Sequence, residues 1–194
     1  LDFVSGSFVN GGYGVQVGPY VGNFVGDGFG QFSIYCVDYL HFAQDGNVVV
    51  SQMSGSLAST RLGQNLSQAQ ARAVYQKTAY LSSLFATTNQ SAWGGIHAAI
   101  WEISSRQTLG NTSPQAMYVN MANANYSSVN LNQWYVITAA GAGLDGHLQS
   151  GDGLGQEFLM RKSVPEPGTI LLMLTGFVML VGASRKRVLA RMSL

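Results

Sequence analysis

Charge, cysteine and long apolar runs are all scarce in this chain, and each shortage narrows what it can be. Charged residues make up 10% of the 194. Up to Ser163, six Lys/Arg stand against eight Asp/Glu, a net charge of −2. Nucleic-acid binding needs a basic stripe, and none exists here. The one cysteine, Cys36, cannot form an internal disulfide, so its thiol is either buried or available for chemistry. Paired Cys/His spacing of the metal-binding kind is missing, so no metal or other cofactor is expected. No internal repeat of useful period is visible, which disfavours solenoids and propellers. No charged leader segment precedes "LDFVSGSF", so a secretory signal is expected to be trimmed or to lie outside the sequence.

Hydrophobic residues make up 46% of the chain, mostly in short stretches broken by Gly, Asn, Ser and Gln. This style suits a secreted or surface protein better than a cytosolic enzyme. The length leaves room for one domain with a core and one appendage. From 1 to 60 the segments "GSFVN", "YGVQVG" and "FSIYCVDYLHF" are strand-like, separated by "NGG", "GDGFG" and "QDGN". Asp45-Gly46-Asn47 predicts a hairpin turn between "YLHF" and "VVVSQ".

Ser67 and Gln70 form a capping box that opens a helix through "SQAQARAVYQKTAYLSSLF". Its buried stripe is expected to be Ala71, Val74, Thr78, Leu81 and Phe85. A second helix, "AWGGIHAAIWEISSR", places Ile96, Ala99, Ile100 and Ile103 on its core face. A third follows Ser113-Pro114, and "NQWYVITAA" and "GQEFLMR" are expected to be closing strands.

The tail breaks the pattern. Sixteen residues, 169–184, carry no charge and are followed by Arg185, Lys186 and Arg187. As a helix at about 1.5 Å per residue they span roughly 24 Å, short of a ~30 Å hydrocarbon core. Flanking residues and snorkelling cations can close the gap. The positive-inside bias puts 185–194 in the cytoplasm, with 188–194 as the tail, and 1–163 outside. Just before the run, Pro165 and Pro167 favour an extended backbone around Glu166.

Val164-Pro165-Glu166-Pro167-Gly168, an apolar helix and Arg185-Lys186-Arg187 together resemble the PEP-CTERM sorting signal of Gram-negative bacteria. The resemblance implies recognition by an exosortase, a membrane-embedded cysteine protease, through Pro165, Glu166, Pro167 and Gly168. It implies a span at 169–184 inside a signal covering 164–187, with Arg185, Lys186 and Arg187 as the cytoplasmic anchor. The chain would be a single-pass protein of the inner membrane, with lipid as an early partner, bound for the cell surface or its polysaccharide matrix.

Tyr35-Cys36-Val37-Asp38 and Ile96-His97-Ala98-Ala99-Ile100-Trp101-Glu102-Ile103 resemble the thioester domains of bacterial surface adhesins. In that family a strand Cys bonds to a Gln before an Ala-Ile-Trp helix, and the bond can capture a nucleophile. The resemblance implies an α+β fold, with a β-sandwich-like part and packed helices, for residues 1–163. This sequence has His97 at the Gln position. Imidazole has no acyl carbon, so the intact thioester is not expected.

A Cys36–His97 contact then has three readings: a packed thiol beside a hydrogen-bonded histidine, a nucleophilic thiolate–imidazolium pair, or a metal site with His41 or Asp38. The preferred overall reading is a non-enzymatic surface or matrix protein with no catalytic residues, possible adhesive binding included. The alternative is an extracellular Cys/His-dependent hydrolase or transferase. Trp93, Trp101 and Trp134 are candidates for a sugar-stacking platform. The glycines of 141–146 are read as a loop rather than a nucleotide site, and Asp145 and Asp152 are too sparse for a calcium cage.

Overall fold

The computed structural model describes residues 1–6, 9–10, 15–25, 31–39, 46–105, 113–140 and 155–162. By backbone contacts the chain divides into two units, Leu1–Lys162 and Ser163–Leu194. The whole sorting signal, 164–187, lies outside the described residues, as does the expected span at 169–184. Among the described residues no helix is long and apolar enough to cross a membrane.

Helix and sheet are mixed, as an α+β reading requires. Among the described residues eight strands run in chain order: β1 Asp2–Gly6, β2 Val9–Asn10, β3 Gln16–Val17, β4 Tyr20–Asn23, β5 Gln31–Cys36, β6 Val48–Gln52, β7 Trp134–Ala139 and β8 Phe158–Arg161. Four α-helices of the described residues fall between β6 and β7: α1 Arg61–Asn65, α2 Gln68–Leu84, α3 Trp93–Ser105 and α4 Ser113–Asn125. Six strands form one antiparallel sheet in the order β1-β4-β5-β8-β7-β6, and β2 pairs with β3 as a separate ribbon.

The two ends of the sheet meet. Leu1 N donates to Gly46 O at 2.6 Å, and Gly46 N donates back to Leu1 O at 3.1 Å. These two bonds tie the residue before β1 to the approach to β6. The described strands make one six-stranded sheet and a two-stranded ribbon. Of the expected hairpin at 45–47, Asp45 and most of the first strand lie outside the described residues. β6 pairs with β7, far along the chain, and Gly46 with Leu1.

The helices follow their local signals. Ser67 caps α2, with its side chain accepting from Gln70 N and the Gln70 side chain returning to the Ser67 backbone. Thr60 caps α1 by accepting from Gly63 N at 3.0 Å. Gly63 is required there, because a Cβ would sit 1.7 Å from the Leu57 carbonyl oxygen.

Ala71, Thr78, Leu81 and Phe85 are buried as the stripe predicts. Val74 is only partly buried, and Tyr75 takes its place in the core. On α3, Ile96, Ala99 and Ile100 are fully buried, and Ile103 packs at the core's margin. Consecutive residues of β7 and β8 are buried (Val136, Ile137 and Thr138; Phe158, Leu159 and Met160), so the middle of the sheet is covered on both faces.

Candidate functional site

β5 ends at Cys36, and the ladder to β8 continues one step further through Val37 N donating to Glu157 O at 3.1 Å. The C-terminal half of α3 docks along this strand end. Ser104 Oγ donates to Val37 O at 2.5 Å, and Tyr39 N donates to Ser105 Oγ at 3.4 Å. That docking carries Trp101 over the thiol, where its Nε1 donates to Cys36 Sγ at 3.4 Å. The thiol donates in turn to Asp38 O at 3.2 Å.

Cys36 is thus fully buried, with its hydrogen-bonding capacity used as a neutral thiol. Burial pushes its pKa up to about 12, and the Trp101 N–H only partly offsets this. A thiolate would lose the donor role and face a carbonyl oxygen at short range.

His97 lies one helical turn before Trp101. The two rings stack with centroids 4.8 Å apart and planes inclined by 1°, and Phe85 packs against His97 from α2 at 4.9 Å. Its Nδ1 accepts from Gly18 N at 3.0 Å. Gly18 has φ 134, a backbone conformation L side chains rarely adopt, so glycine suits the turn that aims this N–H at the ring. Nδ1 is therefore unprotonated and Nε2 carries the hydrogen. Burial lowers the His97 pKa to about 3, so the ring is neutral near pH 7.

The two residues are brought to the same indole, with no hydrogen bond between them. Cys36 is bonded to the Trp101 edge and Asp38 O, while His97 is stacked on the Trp101 face and bonded to Gly18. Nδ1 is occupied, and Nε2 has no hydrogen-bond partner among the described residues. Nothing in this arrangement lets imidazole take the thiol's proton. A general base must reach the proton it removes.

A second polar cluster, not anticipated from sequence, encloses the strand end. The Arg61 guanidinium pairs with the Asp38 carboxylate and also donates to Gly155 O. Gln156 Nε2 donates to Asp38 O at 2.9 Å, the same oxygen that accepts from the Cys36 thiol. Glu157 is buried and accepts three bonds: from Tyr75 Oη at 2.7 Å, Thr138 Oγ1 at 2.7 Å and Arg61 N at 3.0 Å. Burial raises its pKa from the ordinary carboxylate value, and these donors oppose the rise. The usable signal was a single acid in the apolar strand segment "GQEFLMR", since a buried charge demands donors.

Other expectations resolve as follows. Among the described residues no group of three or more His, Cys, Asp or Glu is arranged to hold a metal. His41, the glycines of 141–146, Asp145 and Asp152 lie outside the described residues. Trp93, Trp101 and Trp134 are all buried, so they present no open platform for stacking sugars. Comparison with family models, curated proteins and solved structures finds no match.

Proposed function

We propose that this chain is a non-enzymatic cell-surface or extracellular-matrix protein, exported and sorted through a C-terminal PEP-CTERM-type signal. One observation carries the reading. Pro165-Glu166-Pro167-Gly168, an uncharged stretch at 169–184 and Arg185-Lys186-Arg187 occur in that order within 24 residues. An exosortase-type enzyme reads the Pro-Glu-Pro segment, and the apolar stretch spans the inner membrane as a helix. The cations hold its end in the cytoplasm until the protein passes to the surface, where polysaccharide is the natural neighbour.

In this reading residues 1–163 are an outward-facing domain of thioester-domain-like fold in which the acyl donor has been replaced by His97. The buried neutral thiol and the separate partners of Cys36 and His97 support a structural role for both. They weigh against the Cys/His-dependent hydrolase, which needs an exposed nucleophile beside its base.

Replacing Arg185, Lys186 and Arg187 with Glu tests the anchor in the bacterial host. Protease accessibility should show a disordered topology, with part of the chain no longer presenting its N-terminal domain outside. Unchanged orientation and unchanged fractionation of the variant would remove the support for this reading.

A further inference from the structure

β6 is the last strand of the six-stranded sheet, with β7 on one side only. Two bonds just beyond its ends set the parity of the ladder. Ala140 N donates to Asn47 O at 2.8 Å, and Met53 N donates to Trp134 O at 3.0 Å. Between them the register runs without a bulge, from Val48 opposite Ala139 to Gln52 opposite Tyr135. Hydrogen-bonded positions alternate along an antiparallel pair, so Asn47, Val49, Ser51 and Met53 bond to β7. Gly46, Val48, Val50 and Gln52 then point their backbone groups away from the sheet. Gly46 is taken by Leu1. Among the described residues the N–H groups of Val48, Val50 and Gln52 have no partner.

Folded proteins blunt such an edge with a lysine, a proline or a bulge. Residues 46–60 contain no charge and no proline. Val49 and Val50 are 40% and 42% exposed. The edge is also held in shape at both ends. Leu1 fixes Gly46, and Gly55 N closes the turn after β6 by donating to Gln52 O at 2.9 Å. Arg72 on α2 braces that turn, with Nε donating to Met53 O at 3.0 Å and Nη2 to Gly55 O at 2.8 Å. The open stretch is therefore Val48–Gln52 alone. A charged peptide would find no countercharge along it, and a long strand would run into Leu1.

β6 itself is short, extended and uncharged. A second copy laid antiparallel, with the two-fold axis at Val50, sets Val50 opposite Val50, Val48 opposite Gln52 and Val49 opposite Ser51. The parity matches, because every outward-pointing position meets another. The pairing stops where Leu1 occupies Gly46, since the second copy's chain turns off after its own Gln52. We propose that β6 is a self-pairing edge through which two copies of this chain join their sheets. Val50 N–H donates to Val50 O of the other copy in both directions, and Gln52 N–H to Val48 O. This inference stands on the unit Leu1–Lys162 and is independent of the sorting reading.

The test uses the full chain in detergent micelles, with sedimentation for mass and amide hydrogen exchange for the edge. Val50→Lys sets like charges directly opposite each other at the axis. Val50 is exposed, so the variant keeps its fold. The proposal expects a dimeric parent and a monomeric Val50→Lys, with the Gln52 amide exchanging at least about tenfold more slowly in the parent. Association through the apolar tail would survive the substitution. A monomeric parent, a dimer that persists in Val50→Lys, or equal Gln52 exchange in the two proteins overturns the proposal.

Discussion

At the scale of single residues, the chemistry of this molecule is decided by burial more than by residue type. A cysteine and a histidine are a familiar nucleophile and base, yet here both are held neutral by desolvation. Cys36 has its pKa pushed up to about 12. The folded chain should therefore react with a thiol reagent at pH 8 at least about a thousandfold more slowly than the unfolded chain, since the thiolate is the nucleophile. Labelling with iodoacetamide, with and without denaturant, measures this, and comparable rates would mean that the thiol is open. His97 is displaced the other way, to about 3. Between about pH 6.5 and 3 the unfolded chain binds a proton here that the folded chain does not. Its contribution to stability is complete above the unfolded value and falls by about 1.4 kcal/mol per pH unit on acidification through that window. Glu157, with its raised value, works in the opposite direction where the two ranges overlap. Global stability therefore blends the two, and the cleaner reading is the ring itself. The His97 Cε1 proton shift should stay flat from pH 7.5 to 4.5, whereas an inflection near pH 6.5 would place the ring in solvent.

At the scale of elements, α2 packs against α3, and Ile100 on α3 is fully buried within the core. Ile100→Ala should cost about 2–5 kcal/mol, read as a lower chemical-denaturation midpoint. A midpoint equal to the parent's would mean that this face of α3 is not in the core. These helices were legible in sequence because their signals are local. Ser67 and Gln70 lie within one turn, and the apolar spacing of Ile96, Ala99 and Ile100 needs no knowledge of the partner. Tyr75 displaced Val74 from the core for a non-local reason: its hydroxyl reaches the Glu157 carboxylate 82 residues away. The same limit applied to β6, whose pairing with β7 depends on chain closure beyond any hairpin signal. It applied also to the candidate site. The residue types at 36 and 97 were readable, but Trp101 coming between their functions depends on how α3 docks on β5. Periodicity tells which face is apolar and is silent on which polar tip finds a buried partner.

At the scale of the whole molecule, the two units carry different kinds of information. The unit Leu1–Lys162 owes its form to packing, with its polar residues spent on internal bonds such as Arg61 to Asp38 and Glu157 to Tyr75. The unit Ser163–Leu194 carries the sequence signal from which location is proposed. The central claim is that the Pro-Glu-Pro segment directs the chain to the surface, and it rests on residues outside the described ones. The direct measurement is fractionation of host cells expressing the parent and a variant with Pro165→Ala, Glu166→Gln and Pro167→Ala, the apolar stretch and cations left intact. The account predicts that the parent reaches the cell surface or matrix while the variant accumulates in the inner membrane, still anchored. A variant delivered to the surface as efficiently as the parent would contradict it.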